Sequence, residues 1–289
     1  VNEAVVVNAG VTATICEGSS FTLSGSAASG YAGLLWSSAG DGSFDDASDL
    51  HPVYTPGAND ILTGSVNLTL TGIANPACSD ESSIVRLDIT RQVTVDAGSN
   101  ATICQTSVFS PTDAVSQFYD HVLWTHNGSG SISNANTLTP VYTPGAGETG
   151  TITLTLTAYA LPPCADVVDQ MSLTINEQAL AFAGPTATIC EGSTFSLSAS
   201  TASGFADLLW ATSGTGTFSD NTALHPVYTP SVADIAAGSV TLTLTSHSFT
   251  ACTDASSGMV LNITRQVTVD AGSNATICQT SVFSPTDAV

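Results

Sequence analysis

The 289 residues contain no lysine and only three arginines, against 24 acidic residues, for a formal charge of −21. Without lysine there is no Schiff-base chemistry, no P-loop phosphate site and no Lys–Asn isopeptide staple. Three arginines cannot form the basic patch that nucleic acid requires. No apolar run approaches the roughly 18 residues of a membrane span. The chain opens VNEAVVV, without Met or a signal peptide, so any targeting segment is expected outside it. Charged residues are also scarce, at 9%, while 43% of the chain is hydrophobic. That balance excludes a disordered acidic tail, which has few apolar residues and many charges.

What the sequence has in abundance is repetition. Residues 265–289 repeat residues 91–115 letter for letter, 174 positions later. Over 13–90 against 187–264, 46 of 78 positions match. A weaker half-period lies inside this one. Cys16, Cys104 and Cys190 each open a unit, and Trp36, Trp124 and Trp210 each follow that Cys by 20. VYTP recurs at Tyr54, Tyr142 and Tyr228, and a second Cys follows the first by 60 to 62, at Cys78, Cys164 and Cys252. The unit is therefore about 87 residues, in two alternating versions. The expected division is 1–10 as the end of a preceding unit with its junction, domains at 11–91, 92–178 and 179–265, and 266–289 as the first strands of a truncated fourth. The chain thus reads as a window in a longer array, with further copies of the repeat as its partners.

Each unit reads as short strands. GSVNLTLTGIA, GTITLTLTAYA and GSVTLTLTS alternate apolar and polar residues, and Gly, Pro, Asn and Asp clusters separate the strand candidates. No stretch keeps a 3.6-residue apolar period over 11 residues or more. Several strands per 87 residues predict an all-β chain of tandem immunoglobulin-like antiparallel β-sandwich domains arranged as a rod. Trp36, Trp124 and Trp210 are the expected core anchors, with Tyr54, Tyr142 and Tyr228 tying strand corners through their hydroxyls. One cysteine pair per unit predicts bridges within units: Cys16–Cys78, Cys104–Cys164 and Cys190–Cys252. Cys278 falls in the truncated unit.

TICEGSTFSLSAS, the long run from Leu208 to Ser246 and C-x-D-x-S-S before the last strand resemble the PKD-like or Ig-like repeats of giant secreted surface proteins of Bacteroidota, the gliding-motility adhesins among them. GDGSF at Gly40–Phe44, four residues after Trp36, is similar to the W-x-F-G-D-G-S pattern of PKD domains. The resemblance covers nearly the whole chain. It implies an extracellular, cell-surface array exported by type IX secretion.

Chemistry is sparse. There is no G-x-S-x-G elbow, no HExxH and no Walker loop, and no enzyme is expected. His51 and His225 share a place in LHPVYTP that Thr139 takes in the middle unit. The one ion site on offer is calcium at Asp41, Asp45, Asp46 and Asp49, whose clustered carboxylates are hard oxygen donors. Their counterparts in the third unit are Thr215, Ser219, Asp220 and Ala223, which argues against a site needed in every unit. The functional expectation is a structural stalk or filament segment of a bacterial adhesin, each unit adding about 35–45 Å from the length of its strands. Thr-rich strands offer edges for lateral self-association, which acidic repulsion opposes without cations. The alternative is a glycan-binding or accessory module of a secreted polysaccharide-degrading enzyme, which needs exposed rings.

Overall fold

The computed structural model of the protein describes residues 3–285. The alternation in GSVNLTLT sets the architecture. Val66, Leu68 and Leu70 point inward and are almost fully buried, while Asn67 between them is exposed. That pattern suits a sheet with one face against a core.

In the first repeat the strands are β1 (Val6–Asn8), β2 (Ala13–Cys16), β3 (Phe21–Thr22), β4 (Ala27–Ser29), β5 (Tyr31–Ser38), β6 (Ser43–Phe44), β7 (Val53–Thr55), β8 (Ser65–Ala74) and β9 (Glu81–Thr90), with helix α1 at Ala58–Thr63. They form a four-stranded sheet in the order β2-β9-β8-β5, a three-stranded sheet β3-β7-β6 and the pair β1-β4. The long pairs are antiparallel, but β2 lies parallel to β9, with Cys16 opposite Thr90. Between the sheets sit Trp36, Tyr54, Leu68, Leu70, Leu87 and Ile89.

The second repeat has β10 (Thr94–Asp96), β11 (Ala101–Cys104), β12 (Val115–Gln117), β13 (Tyr119–His126), β14 (Ser131–Ser133), β15 (Val141–Thr143), β16 (Gly150–Ala160) and β17 (Val167–Asn176). Its main sheet runs β11-β17-β16-β13. The third has β18 (Leu180–Phe182), β19 (Ala187–Cys190), β20 (Phe195–Ser196), β21 (Thr201–Ser203), β22 (Phe205–Thr212), β23 (Thr217–Phe218), β24 (Val227–Thr229), helix α2 (Val232–Ala237), β25 (Ser239–Ser248) and β26 (Ala255–Thr264). Its sheet order, β19-β26-β25-β22, matches the first repeat, again with the short strand parallel to the last. The two helices have six residues each, too short to give an apolar period in the sequence.

Two details depart from the sequence reading. Residues 6–8 do not close a preceding unit. As β1 they pair with β4, and Ala9 enters the first core. Residues 265–285 contain no strand, although 91–115 with the same sequence supplies β10 and β11. The difference is one of partners. β10 pairs with β12, and β11 lies beside β17. Among the described residues no strand pairs with 265–285, and Val267, Val269 and Val282 are 85–96% exposed.

By packing, the chain divides into two compact units. One holds the residues up to Ala101 together with Ser107–Thr174. The other holds Thr102–Thr106 with the residues from Ile175 onward.

Candidate functional site: the stapled junctions

The disulfides run between repeats, not within them. Cys16 bonds Cys164 and Cys104 bonds Cys252, each across 148 positions. Each bridge lies inside one of the two compact units. The expected pairs Cys16–Cys78, Cys104–Cys164 and Cys190–Cys252 do not form, and Cys78, Cys190 and Cys278 are free and exposed. Strand direction is the reason. Because β2 is parallel to β9, Cys16 ends level with Thr90, the last residue of β9. Cys78 sits in the turn before Glu81, where β9 begins. A ten-residue strand spans about 33 Å, whereas a bridge needs Cα atoms within about 7 Å. The two cysteines of one repeat therefore mark its opposite poles. The first cysteine of a repeat meets the second cysteine of the next, with Cα atoms 4.9 Å apart in both bridges.

Side chains and backbone reinforce each bridge. At the first junction Thr90 Oγ1 donates to the Pro162 carbonyl at 3.3 Å, and Gln92 Nε2 donates to that of Ala165 at 3.0 Å. Glu17 Oε2 accepts from Arg91 Nε and from the Gln92 amide, both at 3.0 Å. The Arg91 guanidinium also lies 4.3 Å over the Phe118 ring. Gln92 Oε1 approaches Cys16 Sγ to 3.1 Å. The bridged sulfur carries no proton, so this is a contact and not a hydrogen bond.

At the second junction Asn176 Nδ2 donates to the Thr250 carbonyl and Gln178 Nε2 to that of Thr253, both at 2.7 Å. Gln105 and Glu177 stand where the first junction has Glu17 and Arg91. One junction therefore holds an ion pair and the other does not, following the two alternating versions of the repeat.

The anchor residues lie inside the repeats. Trp36, Trp124 and Trp210 are each at most 2% exposed, and Tyr54, Tyr142 and Tyr228 at most 1%. Each of these three tyrosine hydroxyls donates to a buried carboxylate six residues on. Tyr54 reaches Asp60 at 2.6 Å, Tyr142 reaches Glu148 at 2.9 Å and Tyr228 reaches Asp234 at 2.8 Å. These carboxylates also accept backbone amides: Gly42 and Gly57 on Asp60, Ser129 and Gly145 on Glu148, Gly216 and Ser231 on Asp234. Burial pushes the Tyr54 and Tyr142 hydroxyls up to about 12, with the carboxylate neighbours adding to it. Burial alone would raise Glu148 and Asp234, but the amides and hydroxyls around them outweigh it and hold both below the usual carboxylate range. The G-x-G of each repeat follows from this site. A Cβ on Gly40 or Gly42 would collide with the Asp60 carboxylate or the Tyr54 hydroxyl. Sequence reading found the tyrosines and missed their acidic partners, although the fixed six-residue spacing was a usable signal.

The acidic loop is not gathered into a metal centre. Asp41 accepts the amides of Asn59 and Asp60 at the start of α1. Asp45 accepts those of Asp46 and Val53, Asp46 those of Ser48, and Asp49 that of His51. Each carboxylate is thus engaged by backbone amides. Among the described residues no group of three or more His, Cys, Asp or Glu is placed to hold a metal ion. In the third repeat Ser231 caps α2 directly and Asp234 returns the bond, a reciprocal capping box. The first repeat has Gly57 at that position, and Asp41 reaches across to serve in its place.

Ser26 and His51 form a pair at 3.0 Å, repeated by Ser200 and His225 at 3.1 Å. Both hydroxyls are buried and close on backbone carbonyls, Leu23 with Leu50 and Leu197 with Leu224. They fasten loops and present no nucleophile to solvent. No helix among the described residues is long and apolar enough to cross a membrane.

No family model matches the sequence, and no curated protein does. Solved structures do match in fold. An I-band fragment of titin aligns over 92% of this chain and 99% of its own, with a TM-score of 0.52 at 13% identity. A three-immunoglobulin-domain structure of a variant of the same titin region covers 91% and 99%, with a TM-score of 0.53 at 13% identity. Together with the sheets described above, these matches place the chain among all-β proteins built from tandem immunoglobulin-like sandwiches.

Proposed function

We propose that the chain is a segment of an extracellular structural stalk or filament of a bacterial surface adhesin, with no catalytic role, and that it divides into three sandwich domains, the first taking in β1 and ending at 91 and the others at 92–178 and 179–265. The observation that carries this reading is the stapling of consecutive repeats. Each bridge ties one repeat to the next, so tension is carried by covalent bonds across the joins and not by sheet hydrogen bonds alone. Disulfides persist in oxidising surroundings outside the cytosol, which supports an extracellular site. The charge of −21 keeps such segments apart in solution. All three tryptophans are enclosed in cores, so none of them offers a stacking ring to the glycan-binding alternative.

The test is immunogold electron microscopy of intact source cells with an antibody raised to this chain. Label along fibres projecting from the surface is the expected result. Label confined to the cell interior, or a glycan array binding the chain strongly with no surface label, overturns it.

A further inference from the structure

We propose that Cys78 and Cys190 are the open halves of the same junction, and that the partner each takes is the opposite cysteine of another copy of this repeat, 148 positions away along a continued chain. This rests on the reading of the chain as part of a longer array.

Three observations carry it beyond the presence of exposed thiols. First, the sequence period is 174, and the two bridges obey one rule: the first cysteine of a repeat to the second cysteine of the next. Cys190 is the counterpart of Cys16, and Cys78 that of Cys252. Second, Cys190 stands in the same setting as Cys16. It ends a strand parallel to β26, opposite Thr264, as Cys16 ends β2 opposite Thr90. The next amide, Glu191, donates to the Thr264 carbonyl at 2.9 Å, as Glu17 does to Thr90 at 2.8 Å. Glu191 Oε2 accepts the Gln266 amide at 3.3 Å, the same clasp that Glu17 makes on Gln92 beside the closed bridge. One side of the junction is thus assembled at Cys190. Third, Cys78 lies in the turn that the bridged cysteines use. Its amide donates to Asn75, three residues back, as those of Cys164 and Cys252 donate to Leu161 and Phe249.

Closure needs an oxidant, and a small disulfide such as glutathione disulfide supplies it. The Cys190 thiolate attacks that disulfide and releases one glutathione thiolate, which takes up a proton. The partner cysteine's thiolate then attacks the Cys190 sulfur of the mixed disulfide. The new bridge forms, and the second glutathione leaves and is protonated. Two thiols are oxidised and one glutathione disulfide is reduced.

The experiment extends the full chain. Since 265–289 repeats 91–115, adding a second copy of residues 116–178 after Val289 completes a fourth repeat. Adding a copy of residues 92–174 before Val1 completes a preceding one. Both extended chains are oxidised in a glutathione buffer, digested without reduction and mapped by mass. The C-terminal extension is expected to join Cys190 to the added counterpart of Cys164, with Cys78 still titrating as a thiol. The N-terminal extension is expected to join Cys78 to the added counterpart of Cys104, with Cys190 still free. Amide hydrogen exchange on residues 267–282 reports whether the fourth repeat has folded. Protection there with Cys190 unbridged, a Cys190–Cys252 or Cys190–Cys278 bridge, or a failure of both extensions to bridge overturns the proposal. Surface labelling has no bearing on this outcome, so the staple rule and the stalk reading fail separately.

Discussion

Cys16 and Cys164 are 148 residues apart in sequence and 4.9 Å apart at Cα, and they belong to different repeats. In the chain-entropy model a closed loop of that length stabilises by about 5 kcal/mol. The variant C164S is therefore expected to lower the thermal midpoint well below that of the parent. Adding reductant should narrow the gap, because the parent then loses the same bridge. Calorimetry with and without reductant checks this, and equal midpoints for the oxidised parent and C164S would contradict it.

The three tryptophans are equally buried but not equally bonded. Trp124 Nε1 donates to the Thr137 carbonyl and Trp210 Nε1 to that of Ala223, both at 3.1 Å, whereas Trp36 Nε1 is buried without a partner. Replacement by Phe removes a hydrogen bond at Trp124 and an unsatisfied donor at Trp36. W124F should therefore cost about 1 kcal/mol more than W36F. Urea unfolding of the two variants measures the difference, and the reverse order would refute the assignment.

Acid should loosen the tyrosine–carboxylate sites. Glu148 and Asp234 titrate below their ordinary values in the fold. Their contribution is full above the unfolded carboxylate values of about 4 and is lost as pH falls through the depressed folded values. The variant E148Q is expected to be less stable than the parent at pH 7, by about 1–3 kcal/mol, since an amide nitrogen would face donors. Its stability should also fall less steeply below pH 4. Denaturant titrations at a series of pH values test both statements, and parallel pH profiles would count against the site.

Asp41 is expected to act as a helix cap and not as an ion ligand. D41A should cost about 1 kcal/mol with no response to added calcium. The double change D41T and G57S installs the residues that the third repeat uses, Thr215 and Ser231, and should recover most of that loss. A calcium-dependent midpoint in the parent that vanishes in D41A would restore the ion-site reading.

The sandwich was legible because its signals are local. Alternation in GSVNLTLT, the Trp after LL and the Pro after VYT each report burial within a few residues. Cysteine spacing carries no such information. A separation of 60 to 62 residues recurs in every repeat, yet the strand holding the first cysteine is parallel to the last strand, and this sends the two sulfurs to opposite poles. Parallel pairing of a four-residue strand leaves no mark in the sequence. The carboxylate partners of the tyrosines were hidden because Asp and Glu alternate at that place and loops are rich in both. Residues 265–285 mark a firmer boundary. The same letters form strands in 91–115, so their structure is set by the partner strands and not by propensity.

The two bridges overlap, because Cys104 lies inside the loop closed by Cys16–Cys164, and Cys164 inside that closed by Cys104–Cys252. The shortest covalent route from Cys16 to Cys252 crosses to Cys164, runs back along the backbone to Cys104 and crosses again. It spans 60 backbone steps (104 to 164) in place of 236 (16 to 252). At about 3.6 Å per extended residue, complete unfolding under load would lengthen that stretch to roughly 210 Å instead of about 850 Å. The overlap also makes the backbone redundant. A single peptide bond cut anywhere between Cys16 and Cys252 leaves an unbroken covalent path between them, so one proteolytic nick in this stretch does not sever the chain.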